Sequence, residues 1–168
     1  ALIPLLALGI AAPGSAEVLG IGKNKAEATM INAQGLPVGK AKIVESKKKG
    51  LSVSVSVKGM PKGEKGIHLH LVGQCEGPKF VSAGGHWNPH GKMHGRDNPE
   101  GAHAGDLPNI IISKKGRGTL KFEIADMRLH TFLDDDGGAI VLHAQSDDNR
   151  TDPSGNSGDR IACGVFVE

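Results

Sequence analysis

Residues 51–57 read LSVSVSV, an alternation of apolar and hydroxyl side chains. Because successive side chains of a β-strand point to opposite faces of the sheet, this period of two predicts a strand with one buried and one solvated face. Lys47, Lys48 and Lys49 come just before it, beside Gly50, and we interpret them as a solvated hairpin turn. The stretch therefore predicts a sheet that covers a core on one side and meets water on the other.

Similar short strand patterns, separated by turn residues, recur on both sides of this stretch. Glycine is frequent, at 25 of 168 residues, aromatic residues make up only 3% of the chain, and runs with the apolar period of a helix are scarce. We predict an all-β fold with eight short strands in one domain, arranged as a closed or sandwiched antiparallel sheet. The strands are expected at residues 26–30, 40–45, 51–57, 67–72, 109–113, 119–124, 139–144 and 161–167.

The first 12 residues are apolar and uncharged, and the small residues 14–16 that follow them suit signal-peptidase cleavage before Glu17. We interpret residues 1–16 as a signal-peptide remnant and residues 17–168 as the mature domain, and so expect a periplasmic or secreted protein. A short hydrophobic segment that docks on the domain is the alternative. The stretch is shorter than the roughly 20 residues of a membrane-spanning helix, so we expect no membrane span.

Charge and cysteine content narrow the choice of function. The 20 basic and 18 acidic residues are nearly balanced and form no basic stripe, so nucleic acid is not expected as a partner. Cys75 and Cys163 make an even count in a chain that we expect to be exported, and oxidising conditions let a disulfide persist. We predict a bridge between them; two unrelated buried thiols are the alternative.

One pair of histidines points weakly to a metal. His68 and His70 lie two residues apart in a predicted strand, so both imidazoles point to one face. Ile67, Leu69 and Leu71 then point to the other face. Alone, this pair is a weak indication of a metal site, because two exposed histidines are the commoner explanation.

A segment of about 36 residues without an apolar period follows the fourth predicted strand, and loops of that length are usually functional. It contains three imidazoles and one carboxylate, a donor set that suits a closed tetrahedral zinc site with no position for water. We therefore expect such a zinc to be structural rather than hydrolytic. The four residues are His86, His94, His103 and Asp106. His143, near the end of a later predicted strand, is a further candidate ligand.

In five motifs and one further histidine the chain resembles the copper/zinc superoxide dismutase family. The motifs are GIHLH at 66–70, GHWNP at 85–89, HG at 94–95, HAGDL at 103–107 and GNSGDRIACGV at 155–165, and the histidine is His143. The resemblance covers roughly residues 25–167 and keeps ligands, cysteines and arginine in the family's order. Cys75, which follows His70 by five residues, and the short loop 147–160 resemble the bacterial branch.

Three positions depart from the family's pattern. Ile67 stands where Phe is usual, Lys65 stands where many members carry His, and Trp87 stands for Phe or Tyr. None of these departures removes a ligand, so they concern packing and loop geometry rather than activity.

The resemblance implies a Greek-key β-barrel or sandwich with long metal-binding and electrostatic loops, and an enzyme that dismutes superoxide to dioxygen and hydrogen peroxide by copper redox cycling. It implies that Arg160 supplies a positive charge for the superoxide anion and that His86 bridges the two metals and delivers a proton. Asp147 is expected to accept hydrogen bonds from His68 and His94 and so to orient them. The implied copper ligands are His68, His70, His86 and His143, and the implied zinc ligands are His86, His94, His103 and Asp106.

Two other functions stay open at this point. A protein on the same fold that binds or buffers copper and zinc without turnover would need the ligands but not Arg160. A purely structural sandwich with incidental histidines would hold no stoichiometric metal. His90 and His130 match no role and are interpreted as surface histidines, although His90 lies in the long loop, where it is placed to bind metal adventitiously. The sequence leaves open whether the protein is a monomer or a homodimer.

Overall fold

Strands dominate the computed structural model, which describes residues 24–168. The signal-peptide interpretation of residues 1–16, and the start of the mature domain at residue 17, lie outside the described residues. In the described part of the chain no helix is long and apolar enough to cross a membrane. The elements are β1 (Lys25–Asn32), β2 (Pro37–Ser46), β3 (Gly50–Val57), β4 (Gly63–Lys65), β5 (Ile67–His70), a 3-10 turn (Val81–Ala83), β6 (Ile110–Ile112), β7 (Gly118–Ile124), helix α1 (Leu129–Phe132), β8 (Ala139–His143) and β9 (Arg160–Val165).

The strands form one curled antiparallel sheet in the order β5-β8-β9-β1-β2-β3-β7, and a two-stranded piece of β4 and β6. β6 lies against β7 at one edge of the large sheet, and β4 runs into β5 at the other edge, so the small piece joins the two edges. The chain passes from β3 to β4 and from β7 to β8 without pairing either strand with the next one, and these are the crossing connections of a Greek key. The structure confirms the predicted all-β antiparallel fold.

The core follows directly from the alternation in β3. The four apolar side chains of residues 51–57 are at most 4% exposed, whereas Ser52 and Ser56 point to solvent. Val53 lies opposite Ile43 of β2 and Phe122 of β7, so apolar side chains meet across the strands. Burying each such side chain contributes about 1.5–3 kcal/mol. As predicted, the three lysines before β3 form the turn of the β2–β3 hairpin.

Several strand bounds differ from the predicted ones by one to three residues, and two differences alter the predicted sheet. β4 was not predicted, because Gly63, Glu64 and Lys65 carry no apolar period, and residues 24–168 contain nine strands rather than eight. β5 ends at His70 rather than Val72, and Leu71 lies on the surface with 41% exposure instead of on the buried face. The chain leaves the sheet there because the next two backbone N–H groups bond to the carbonyl oxygens of Gly85 and Ala83 in the following loop.

Cys75 and Cys163 form the predicted disulfide, with 5.7 Å between their Cα atoms. The bridge ties the loop that follows β5 to the middle of β9. Around it, Phe80, Ala83 and Val141 form a small apolar cluster together with Cys163. The loop is therefore attached to the sheet both covalently and through its own buried contacts.

Replacing both cysteines, Cys75→Ser together with Cys163→Ser, is expected to lower the free energy of unfolding by about 2–5 kcal/mol, because the bridge closes a separation of 88 residues and its loss enlarges the unfolded ensemble. Urea denaturation of the metal-free protein measures the difference. Wild type treated with reductant is the control and is expected to match the variant. An unchanged denaturation midpoint and slope would contradict this prediction.

Candidate metal centre

Seven ligand candidates come together in two overlapping groups. β5 supplies His68 and His70, the end of β8 supplies His143, and the long loop between β5 and β6 supplies the others. In each group one ligand atom per residue lies within 4.8 Å of the others. The four-histidine group consists of His68, His70, His86 and His143, and the mixed group consists of His86, His94, His103 and Asp106.

Hydrogen bonds decide which nitrogen of each imidazole is free in the four-histidine group. His70 Nδ1 lies 2.9 Å from the carbonyl oxygen of Gly84. His143 Nδ1 lies 3.1 Å from the carbonyl oxygen of Gly158. Because a carbonyl oxygen only accepts, both Nδ1 atoms carry the proton, and both Nε2 atoms are left with a lone pair. These Nε2 atoms are buried without a hydrogen-bond partner.

His68 is turned the other way. Its Nε2 lies 2.7 Å from Asp147 Oδ2, so its Nδ1 is the nitrogen that stays buried without a partner. The His68 ring lies 4.0 Å from the ring of His86 and 4.8 Å from that of His143, measured between centroids. A buried polar atom without a partner costs roughly 1–3 kcal/mol. Three such nitrogens close together fit a metal that takes imidazole ligands, and among the divalent first-row metals copper binds such sites most tightly.

The mixed group has the dimensions of a tetrahedral site. Asp106 Oδ1 lies 2.8 Å from His86 Nδ1 and 3.1 Å from each Nδ1 of His94 and His103. The Nδ1 atoms of His86 and His103 are 3.3 Å apart. Four ligands at about 2.0–2.1 Å from a tetrahedral zinc ion lie about 3.4 Å from one another, so the group needs only a slight expansion to fit the ion.

Asp106 is held with one oxygen towards the three imidazoles. Its other oxygen, Oδ2, accepts the backbone N–H of Gly95 at 2.9 Å and that of His103 at 3.0 Å. Burial raises the pKa of Asp106, but hydrogen bonds from His86 and His94 outweigh this effect and hold the pKa well below its usual range. The carboxylate is therefore charged at neutral pH and supplies negative charge for a divalent cation.

Asp147 connects the two groups from outside. It is 3% exposed, and its Oδ2 and Oδ1 lie 2.7 Å from His68 Nε2 and 3.0 Å from His94 Nε2. Burial raises the pKa of Asp147, but these two hydrogen bonds outweigh this effect and hold the pKa below its usual range. The carboxylate is therefore charged at neutral pH. The three side chains are close enough to hold a metal themselves, but their atoms already pair with one another. We interpret them as a hydrogen-bonded link that orients both imidazoles.

Burial decides the protonation of the four-histidine group. It lowers the pKa of His68 to about 3 and that of His143 to about 4. The pKa values of His70 and His86 are lowered by the same cause. These imidazoles are neutral at pH 7, so their free nitrogens keep lone pairs for a metal. Burial also lowers the pKa of His94, but hydrogen bonds to Asp106 and Asp147 outweigh burial and raise this pKa to about 9. A metal that binds His94 must therefore displace a proton.

Arg160 lies half-buried at the start of β9, where it pairs with His143 in the sheet register. Its Nη1 donates to the carbonyl oxygen of Phe80 at 2.8 Å, and its Nη2 donates to that of Gly84 at 2.7 Å. The Gly84 carbonyl also accepts from His70, so one oxygen fixes both an imidazole and the guanidinium. Burial lowers the pKa of Arg160, but a guanidinium stays protonated at neutral pH. A permanent positive charge therefore lies beside the four-histidine group.

Every ligand candidate of the sequence analysis thus lies in one of the two groups, and Asp147 and Arg160 lie next to them. His90 and His130 are exposed and belong to neither group. Sequence reasoning missed the backbone carbonyls that orient two histidines and the arginine, because a carbonyl leaves no trace in residue type. It also missed Asn109, whose side chain bonds to the backbone N–H and carbonyl oxygen of Asp147.

Comparison with known families and sequences gives consistent matches. The family model described as copper/zinc superoxide dismutase (SODC) matches residues 38–166. Superoxide dismutase [Cu-Zn] 2 of Aquifex aeolicus is 42% identical over 148 residues, which cover 84% of this chain and 86% of that protein. Superoxide dismutase [Cu-Zn] of Deinococcus radiodurans is 36% identical over 176 residues, which cover 98% of this chain and 94% of that protein.

Solved structures show the same similarity. The crystal structure of a superoxide dismutase-like protein from Bacillus subtilis superposes with a TM-score of 0.79 at 40% identity, over 84% of this chain and 97% of that one. The Cu/Zn superoxide dismutase from Brucella abortus superposes with a TM-score of 0.69 at 26% identity, over 85% of this chain and 99% of that one. Both the backbone and the sequence therefore agree with the family model.

Asp147→Asn is expected to weaken zinc binding on the order of 10- to 100-fold, because the amide cannot accept hydrogen bonds from both imidazoles and the rings lose their orientation. Competition with a coloured chelator measures the affinity. The exposed Asp135→Asn is the matched control, since it removes the same charge outside both groups. Equal zinc affinity in Asp147→Asn and wild type would mean that Asp147 does not orient the ligands.

Proposed function

The chain belongs to the copper/zinc superoxide dismutase family, and from this premise we propose that the four-histidine group binds the copper and the mixed group the zinc. The activity is dismutation of superoxide, in which two superoxide anions and two protons give dioxygen and hydrogen peroxide. The observation that carries the assignment is the convergence of three buried, unpartnered imidazole nitrogens with His86. These nitrogens belong to His68, His70 and His143.

The hydrogen bonds name the ligand atoms for copper, which when bound supplies the one-electron redox chemistry of both half-reactions. His68 offers Nδ1, and His70 and His143 offer Nε2, because their other nitrogens are engaged. His86 offers Nε2, because its Nδ1 lies 2.8 Å from Asp106 in the mixed group. Four imidazoles suit Cu(II), which prefers tetragonal nitrogen ligands.

The mixed group supports a structural role for zinc. Four protein ligands complete a tetrahedral site and leave no position for a reacting water. All four come from the long loop between β5 and β6, which has little regular secondary structure, so the site joins distant parts of that loop. We propose that zinc orders the loop and keeps His86 in place.

Arg160 is proposed to guide the substrate anion. Superoxide is a small monoanion, and a fixed positive charge beside the four-histidine group raises its local concentration and orients it. The guanidinium cannot swing away freely, because Phe80 and Gly84 hold both of its terminal nitrogens. This placement supports an enzyme rather than a protein that binds the same metals without turnover.

His86 is proposed to deliver a proton. Among residues 24–168 it alone belongs to both the four-histidine group and the mixed group. Its Nδ1 is held on the side of Asp106, so its Nε2 faces the other three histidines. This Nε2 would be one of the copper ligands, and whenever it is not bound to the metal it would hold a proton that it can donate to the peroxide product.

We further propose a periplasmic or secreted location. The disulfide between Cys75 and Cys163 supports it, because such bridges persist in oxidising compartments. The apolar residues 1–12, interpreted as part of a signal peptide, support it from the sequence.

Arg160→Glu is expected to keep both metals, because Arg160 is not a ligand. It should lower kcat/KM by a factor on the order of 10 to 10³, the general range of electrostatic steering, which is already known for superoxide dismutases. Pulse radiolysis at fixed ionic strength measures the rate, and metal analysis measures occupancy. The exposed Arg117→Glu is the matched control with the same change of charge.

Added salt should slow the wild type and affect Arg160→Glu less, or in the opposite sense, because screening weakens attraction and repulsion alike. Asp148, Asp152 and Asp159 are exposed in the loop before Arg160 and oppose its field at longer range. The loss at fixed salt is therefore the stronger test. A fully active and fully metallated Arg160→Glu protein would exclude the guiding role.

His94→Ala removes one ligand of the mixed group and none of the four-histidine group, so zinc binding should be lost while copper binding largely remains. Because zinc stabilises the folded state that binds it, the melting temperature should fall as zinc occupancy falls. Calorimetry of zinc-loaded and zinc-free protein measures this. His90→Ala, exposed in the same loop, is expected to melt like the wild type. Equal melting temperatures with and without zinc would count against a structural zinc.

A further inference from the structure

Three backbone segments that carry ligand candidates close into a ring of hydrogen bonds. The N–H of Leu69 donates to the carbonyl oxygen of Gly105 at 2.9 Å. The N–H of Gly105 donates to the carbonyl oxygen of Trp87 at 2.9 Å, and the N–H of Trp87 donates to the carbonyl oxygen of Leu69 at 2.8 Å. Each residue donates to one member and accepts from the other. We call this circuit the three-residue ring.

Every member of the three-residue ring adjoins a proposed ligand in the chain. Backbone pairing between the segments therefore sets ligands of the two groups opposite each other. The pairs are His68 with Asp106 and His70 with His86. A shift of any one of the three segments would move ligands of both groups at once.

Gly105 is the position at which the three-residue ring has no room for a side chain. A Cβ atom there would lie 2.4 Å from the carbonyl oxygen of Leu69 and 3.1 Å from the backbone nitrogen of Trp87. Both are backbone atoms, which cannot turn aside as the end of a flexible side chain can. The backbone of Gly105 does not have a positive φ, so the requirement for glycine is one of space.

The three-residue ring lies in the core, where its hydrogen bonds have no substitute. Leu69 is fully buried and Trp87 is 5% exposed. The indole N–H of Trp87 donates to the carbonyl oxygen of Thr131 at 3.2 Å, and its ring centroid lies 5.1 Å from that of Phe132. Breaking a buried backbone hydrogen bond leaves both groups without a partner, so the ring resists distortion.

We propose that the three-residue ring sets the spacing between the copper and zinc ligand groups, with Gly105 as the positioning residue that permits the close approach. The inference rests on the proposed assignment of the two metals. Gly105 adjoins Asp106, a proposed zinc ligand, and its own backbone hydrogen bonds join it to Leu69 and Trp87, which adjoin the proposed copper ligands. A change at Gly105 is therefore expected to alter the copper ligands even when no zinc is bound.

The test is Gly105→Ala loaded with copper alone. Its Cu(II) electron paramagnetic resonance spectrum should differ from that of copper-only wild type in both g and hyperfine values. The copper affinity should fall on the order of 10-fold or more, the usual effect of losing contacts that orient metal ligands. Cobalt(II) placed in the mixed group should show a shifted d–d absorption spectrum as well.

Two glycine variants control for crowding and for position. Gly39→Ala makes an equally tight contact, 2.5 Å from the carbonyl oxygen of Ser56, but in β2, which carries no ligand candidate. It should lower stability and leave both spectra native. Gly85→Ala precedes His86 but meets no neighbouring atom closer than 3.8 Å, so it should change neither stability nor spectra.

Two results would overturn the proposal: a folded Gly105→Ala protein with wild-type spectra, or a Gly39→Ala protein with the same spectral change. A wild type that binds neither metal would instead show that the metal assignment is wrong, since the comparison between variants presupposes bound copper. The two failures are therefore distinguishable in one set of measurements.

Hydrogen exchange in the wild type tests the three-residue ring without any substitution, and it decides the question if Gly105→Ala does not fold. Copper alone should slow exchange of the Gly105 amide, and zinc alone should slow exchange of the Leu69 amide, because either metal stiffens the whole ring. Protection confined to the segments that adjoin the added metal's own ligands would overturn the proposal.

Discussion

Three imidazole nitrogens, one each from His68, His70 and His143, are buried without a hydrogen-bond partner, and the rest of the structure has to hold them there. Each such atom costs roughly 1–3 kcal/mol. The chain keeps them together by placing two of the rings in β5, one at the end of β8, and by engaging the opposite ring nitrogens with Asp147 or with backbone carbonyls. A metal that binds these lone pairs would offset that cost, so metal binding and the stability of the fold are linked.

The two long loops are held by each other as much as by the sheet. The N–H of His94 donates to Asp152 Oδ1 at 2.6 Å, and the side chain of Asn109 bonds to the backbone of Asp147. The Cζ atom of Arg96 lies 4.6 Å from the centroid of the Phe122 ring in β7. This contact attaches the loop between β5 and β6 to the barrel wall. Loops with so little regular structure thus acquire a fixed shape from polar contacts that converge on the ligands.

The sequence predicts those features of the fold and the site that depend on side-chain type, and it does not predict those that depend on backbone hydrogen bonds. The alternation at residues 51–57 predicted β3 and its buried face, and the histidine spacing with the family resemblance named every side chain that the structure brings together in the two groups. β4 escaped because its residues Gly63, Glu64 and Lys65 carry no apolar period, and its place is given by backbone pairing with β6. The three-residue ring escaped for the same reason, since its hydrogen bonds depend on how closely the chain segments approach and Gly105 is their sole mark in the sequence.

One wall of the barrel, formed by β1, β2, β3 and β7, contributes no residue to either ligand group. Its interior, which includes Met30, Ile43 and Val53, is packed by apolar side chains. Substitutions that erase a ligand leave this wall intact, so natural selection can act on the chemistry and on the scaffold separately. A duplicated gene that loses a histidine would still encode a folded barrel, and that barrel would be available for a new role.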